Sequence, residues 1–194
     1  MVLNGRMTPS RRPLIALFGV YLALLVWVVM WKLEWPSVGG GVRNVKLTPF
    51  VTASNGDGAS QPMEVVGNLL LFVPLGIYLA LLAPKSPRWR LTLLAGSLSA
   101  GMEIAQYVLA VGRTDITDVI VNTAGAVVGM GLVALVQHGT GTRARRLLTR
   151  ACLAGTALAV AACATFVALP IRYGPPDVRC DSQGSCRVGH DLDR

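Results

Sequence analysis

The chain reads as an all-α bundle of transmembrane helices, and three observations predict it. Hydrophobic residues make up 53% of its 194 residues and charged residues only 14%, a balance far from that of soluble domains. The apolar residues are clumped at 14–33, 63–83, 91–111, 117–136 and 151–170, in runs of roughly 20 residues, enough to cross a hydrocarbon layer about 30 Å thick. These runs lack the alternation of barrel strands, so helices must satisfy the backbone in lipid. Five spans are predicted.

Orientation follows from where the charges fall. With the N-terminus inside, the inner segments hold Arg6, Arg11 and Arg12, then Lys85, Arg88 and Arg90, then Arg143, Arg145, Arg146 and Arg150, with no acid among them. All ten Asp and Glu lie outside or within the spans. This Lys/Arg bias predicts an N-in, C-out, multi-pass topology in the plasma membrane. It also disposes of the net charge of +8, leaving no basic surplus that calls for a nucleic-acid partner.

Residues 1–13 form a basic cytoplasmic tail leading into the first span. That span exceeds the h-region of a signal peptide, so it reads as an uncleaved anchor. Trp27, Trp31 and Trp35 cluster at its outer end, as interfacial aromatics do. Residues 34–62, with Pro36, Gly39 to Gly41 and Asn55 to Gly58, read as an irregular outer loop, in which Leu47-Thr48-Pro49-Phe50 either dips back toward the interface or serves as a plain linker.

The second span carries Glu64 and Asn68 one turn apart, and Pro74, which should kink it. The short turn 85–90 makes spans two and three antiparallel neighbours, and a loop at Gly112 does the same for three and four. Gly125 and Gly129 have G-x-x-x-G spacing, a pattern that reports packing within one chain more often than dimerisation. Residues 14–136 thus form a four-helix membrane core, followed by a basic cytoplasmic loop at 137–150, the fifth span and an extracytoplasmic tail at 171–194. Cys152 and Cys163, in the fifth span, read as small apolar packing groups. Cys180 and Cys186 in the tail are candidates for a disulfide closing a short loop, and their spacing fits no common zinc pattern.

Within the core, residues 99–129 put polar side chains where composition predicts lipid. Ser99, Glu103, Gln106 and Arg113 recur at steps of four, three and seven, and Asp115, Asp118, Asn122, Gly125 and Gly129 at steps of three and four, each series on one helix face. A carboxylate at the centre of a membrane helix costs about 2.5 to 3.5 kcal/mol, so Glu103 should face protein or a wet cavity. With a rise of about 1.5 Å per residue, Asn68, Gln106 and Asn122 fall about 7 to 8 Å below the outer ends of their spans and Glu103 about 12 Å. The expectation is an outward-opening polar pocket with Glu103 at its floor and Arg113, Asp115, Asp118 and Glu64 above.

Each residue has a chemical task in such a pocket. Glu103 could give or take a proton, with Asp118 the second candidate catalytic group. Arg113 could clamp a phosphate or carboxylate, and Asp115 with Asp118 could orient it or recruit a hydrated divalent ion. Asn68, Gln106 and Asn122 would orient hydroxyl, amide or sugar groups. The bland alternative is that the amides act as interhelical glue, that Thr114 or Asp115 caps the fourth helix, and that Arg113 merely snorkels. No Ser-His-Asp or Cys-His arrangement, Walker motif or His/Cys metal-ligand cluster accompanies these residues, and no cofactor is assigned.

Three segments carry a resemblance. Gly67-Asn68-Leu69-Leu70-Leu71-Phe72-Val73-Pro74-Leu75-Gly76, Glu103-Ile104-Ala105-Gln106, and Arg113-Thr114-Asp115-Ile116-Thr117-Asp118-Val119-Ile120-Val121-Asn122-Thr123-Ala124-Gly125-Ala126 resemble, in this order, the signature blocks of the VanZ-like family of bacterial membrane proteins. Leu47-Thr48-Pro49-Phe50 is similar to the family's upstream Pro-Phe block, with Lys46 where the family tends to have asparagine, so the resemblance spans about residues 47–136. It implies a cell-envelope role, and the family's namesake is associated with low-level resistance to the glycopeptide teicoplanin.

The leading expectation is a pocket that binds a polar lipid-linked or cell-wall component alongside membrane lipids and modulates glycopeptide susceptibility. One rival is a membrane transferase or hydrolase acting on such a substrate through Glu103, Arg113 and Asp118. Another is a small transporter or a packing-only scaffold; against transport, no inverted repeat is evident and five spans are few, although an oligomer could compensate.

Overall fold

Long apolar stretches without internal breakers other than Pro74 give helices wherever the sequence is rich in Leu, Val and Ala. The computed structural model describes residues 11–31, 38–39, 45–49, 62–111, 114–140, 143–168, 178–180 and 186–188. Within them are five helices, α1 (Arg11–Trp31), α2 (Pro62–Leu82), α3 (Arg88–Leu109), α4 (Ile116–Thr140) and α5 (Ala144–Ala168). Four short strands accompany them, β1 (Val45–Lys46), β2 (Thr114–Asp115), β3 (Val178–Cys180) and β4 (Cys186–Val188). Among the described residues α1, α2, α4 and α5 are long and apolar enough to cross a membrane. The fifth helix, α3, has the length but carries Arg88, Arg90, Glu103 and Gln106. The protein is therefore an all-α membrane bundle.

The tightest contact in the bundle is between α2 and α4, and glycine makes it possible. A Cβ added at Gly125 would run into the Leu69 carbonyl, one at Gly129 into the Val73 carbonyl and, at 3.0 Å, the Ile77 nitrogen, and one at Gly76 into the Ala126 carbonyl. The G-x-x-x-G pair thus packs within the chain, backbone against backbone. Phe72, Leu75, Tyr78, Met130 and Val133 fill the core beside this contact, with Leu25 of α1 and Leu148 of α5 closing it. Helix α3 lays Leu91, Ala95, Ser99, Met102, Glu103 and Gln106 along its buried face.

The helix ends depart from the sequence reading in two places. Residues 137–150, expected as a basic loop, are largely helical, because α4 continues to Thr140 and α5 begins at Ala144. An apolar run measures the stretch fit for lipid, whereas the helix continues through residues such as Arg145, Arg146 and Arg150 that hold helical backbone equally well. The turn between α3 and α4 begins before Gly112: Ala110 takes a left-handed conformation (φ 49°, ψ 49°), and Val111 N–H donates to the Gln106 carbonyl (3.1 Å). These contacts close α3 as a Schellman-type cap with alanine in the usual glycine position.

The outer loop of the sequence reading contains an unforeseen element. β1 pairs in parallel with β2, Val45 opposite Thr114 and Lys46 opposite Asp115, and Gly39 N–H donates to the Leu109 carbonyl at 3.0 Å. The segment is strapped onto the α3–α4 junction through a pairing that spans nearly 70 residues of chain. In the tail, β3 and β4 are antiparallel with Cys180 opposite Cys186; their side chains, and with them the expected disulfide, lie outside the described residues, as do Trp35, Phe50 and Gly112. Cys152 and Cys163 are free thiols.

Candidate functional site

The site is built around the turn that joins α3 to α4. Asp115 ends β2 and stands immediately before α4, where its Oδ1 accepts the Thr117 N–H at 2.8 Å. This is an N-cap: it satisfies one of the amides that a helix start leaves without a partner. Asp118 follows in the first turn of α4, where the helix dipole favours a negative charge. The backbone N–H of Asp115 is held in turn by Glu103, whose Oε2 accepts it at 2.9 Å, while Thr114 Oγ1 donates to the Glu103 carbonyl at 3.2 Å. Glu103, 4% exposed, therefore ties the end of α3 to the start of α4.

Two further elements reach the same junction. From α2, Asn68 Nδ2 donates to Asp118 Oδ1 at 2.8 Å. From β1, Lys46 Nζ stands 3.0 Å from Asp115 Oδ2, each side chain 16% exposed. Asp115 thereby receives a backbone amide on one oxygen and an ammonium on the other, which fixes its carboxylate in place. Four separated stretches of sequence, around residues 46, 68, 103 and 115–118, meet here.

Deeper along the α3–α4 contact, Asn122 Nδ2 donates to Ser99 Oγ at 2.9 Å with both side chains 1% exposed. Gln106, on the same face of α3, turns to α1 and donates from Nε2 to the Val29 carbonyl at 2.8 Å. The carbonyl oxygens of these two amides, Asn122 Oδ1 and Gln106 Oε1, are buried without a hydrogen-bond partner.

Of the sequence-predicted site residues, Asn68, Glu103, Asp115 and Asp118 are brought together, and Asn122 lies one helical turn beyond Asp118 beside Ser99. Asn68, Gln106 and Asn122 do not pair with one another: each donates to a different neighbour, Asp118, the Val29 carbonyl and Ser99. Arg113 lies outside the described residues. Lys46 is the member that sequence reasoning left out of the site. Its only signal was a cation next to the Leu47-Thr48-Pro49-Phe50 block, and nothing local announces a partner at Asp115. Among the described residues, no group of three His, Cys, Asp or Glu could hold a metal ion.

A second polar cluster lies elsewhere in the bundle. The Tyr78 hydroxyl is 2.7 Å from Thr156 Oγ1 and donates to the Cys152 carbonyl at 3.4 Å, joining α2 to α5. The Tyr21 hydroxyl donates to the Leu71 carbonyl at 2.7 Å, one residue on from the Leu70 carbonyl that Pro74 deprives of its helical donor. The rings of Phe18, Tyr21 and Tyr78 pack together, with centroids 5.4 to 6.5 Å apart.

A family model described as VanZ/LLP1 matches residues 18–137. This chain belongs to the VanZ/LLP1 family. The VanZ/LLP1 match begins at residue 18, within α1, and so takes in the greater part of that helix. Among curated proteins, Protein VanZ of Enterococcus faecium is 34% identical over 125 residues, covering 61% of this chain and 72% of the relative. No solved structure matches the chain.

Proposed function

We propose that this VanZ/LLP1 member is a plasma-membrane protein of the bacterial envelope whose junction cluster faces outward. There it holds the polar head of a lipid-linked or cell-wall component and so modulates glycopeptide susceptibility. In this reading the chain crosses the bilayer five times, N-terminus inside and C-terminus outside. The Lys/Arg bias supports the orientation. The passage of α3 is supported by its two faces: Ser99, Glu103 and Gln106 are buried against protein, while Leu93, Leu94, Ile104 and Val108 are exposed as a lipid-facing side would be.

The single observation that carries the reading is the gathering of Lys46, Asn68, Glu103, Asp115 and Asp118 on one helix junction through four contacts of 2.8 to 3.0 Å. Packing alone would be served by apolar side chains at less desolvation cost. Glu103 is a positioning residue, holding the Asp115 amide. In this reading Asn68, Asp115 and Asp118 form the recognition surface together with Arg113, their neighbour in sequence, Asn122 backs it from the buried side, and the link to glycopeptides comes from likeness to the family.

The test is mass spectrometry of lipids and envelope precursors co-purifying with the full-length protein. Wild type should retain a component that Asn68→Ala and Arg113→Ala lose severalfold while remaining folded. Identical profiles for all three proteins would overturn the proposal. Conversion of the retained component by wild type but not by Glu103→Gln would make the protein an enzyme and Glu103 its acid/base.

A further inference from the structure

Helix α5 presents two unlike faces. Ala144, Leu148, Cys152 and Thr156, at steps of four, are buried against the bundle. Arg146, Arg150, Leu153, Ala157 and Ala161, at steps of three and four, are exposed, and so is Arg143 just before the helix begins. By the helical repeat this second stripe stands about half a turn from the first. The arginines therefore point away from the protein, on the side where Leu153, 53% exposed, would meet lipid.

Their depth is defined by the length of the helix. From Arg150 to the end of α5 at Ala168 the axis rises about 27 Å, close to a hydrocarbon layer of about 30 Å. Arg150 thus stands where hydrocarbon gives way to headgroups, with Arg146 about 6 Å and Arg143 about 10 Å further out. No Asp or Glu occurs in residues 1–33, 65–102 or 119–176, so the stretches that make up this end of the bundle supply no counter-charge. Two other bases at this end are engaged within the chain: Arg88 Nη1 donates to the Met130 carbonyl at 3.0 Å, and the Arg90 guanidinium lies 5.1 Å from the centre of the Trp89 ring.

A topology signal needs only positive charge, which lysine supplies as well as arginine. Every Lys or Arg position from 137 to 150 is arginine, whose planar fork pairs with two phosphate oxygens at once. The first turn of α5 also lacks an acid, so these cations oppose the helix dipole, a cost that an anion beside them offsets. The stripe then runs without a break into apolar side chains. A phosphate on Arg146 and Arg150 would leave its own acyl chains along Leu153 and Ala157, a surface that a soluble polyanion would not cover.

We infer that the outward face of α5 binds an anionic phospholipid of the adjoining leaflet, its phosphate held by Arg146 and Arg150 with Arg143 beyond them. The site lies past residue 137, where the family match ends, and it does not depend on the binding role proposed for the α3–α4 junction.

The test uses full-length purified protein in mixed micelles with phosphatidylglycerol, phosphatidylethanolamine or phosphatidylcholine at fixed ionic strength, with retained lipid read by native mass spectrometry. Phosphatidylglycerol should be retained at least about fivefold over the other two, the contribution of a single arginine near a charged lipid surface. Arg146→Gln combined with Arg150→Gln should bring retention down to the phosphatidylcholine level with helical content unchanged. Arg146→Lys combined with Arg150→Lys, which keeps the charge, should retain most of the preference. Equal retention of all three lipids by wild type overturns the inference. So does a phosphatidylglycerol preference that survives the glutamine pair, which would place the lipid elsewhere, or displacement of the lipid by equimolar polyglutamate, which would assign the stripe to a soluble acidic partner.

Discussion

The two polar clusters of the bundle handle buried polarity in opposite ways. Around Tyr78, the polar atoms are hydroxyls that pair with one another or with helix carbonyls, and the rings of Phe18 and Tyr21 close over them. Around Asp115, the polar atoms are carboxylates, the Asn68 amide and an ammonium, and in the neighbouring pairs Asn122–Ser99 and Gln106–Val29 each amide oxygen is left without a partner. A cluster that exists only to join helices can complete its hydrogen bonds internally, as Tyr78 and Thr156 do. Buried amide oxygens without a partner are costly for packing alone, and the proposed binding role is what would account for that cost. In the proposed reading the aromatic cluster is structure and the junction is a site.

Mutations can break or sharpen this contrast. The largest effect is expected where both clusters share a scaffold: Gly129→Leu drives a side chain into the Val73 carbonyl and the Ile77 nitrogen. It should cost about 3 kcal/mol, the upper end for overpacking, seen as a much lower melting temperature in detergent and loss of both clusters together. Tyr78→Phe removes the bond to Thr156 and should cost about 1 kcal/mol while leaving any co-purifying envelope component in place. A loss of that component would blur the distinction between the clusters.

Lys46→Gln breaks a partly exposed ion pair at the junction. Its stability cost should be about 0.5 kcal/mol and shrink in high salt, measured as melting curves at two ionic strengths. The smallest change is expected at Ala110, whose φ of 49° favours glycine. Ala110→Gly relieves that strain but adds freedom to the unfolded chain, for a net gain of about 0.5 kcal/mol or less in thermal melts.

The helices were legible because an apolar run reports its own surroundings, and Ser99, Glu103, Asp118 and Asn122 were legible because steps of three and four mark one helix face. What escaped notice was non-local. Nothing near Lys46 in sequence indicates that its backbone pairs with Asp115, and nothing near Gln106 indicates that its amide reaches Val29 on α1 rather than its neighbours on α2 and α4. Ala110 escaped because glycine at 112 was the obvious place for the chain to reverse. The helical ends of α4 and α5 escaped because hydropathy marks where lipid ends, and a helix need not end there.

The central claim is that the α3–α4 junction, with its strapped β1 segment, faces the outside of the cell. In a background with the four native cysteines replaced by serine, Leu47→Cys, at a site that is 75% exposed next to β1, should react with a membrane-impermeant thiol reagent in intact cells. Ser86→Cys, in the turn between α2 and α3, should react only after permeabilisation. The reverse pattern would contradict the account.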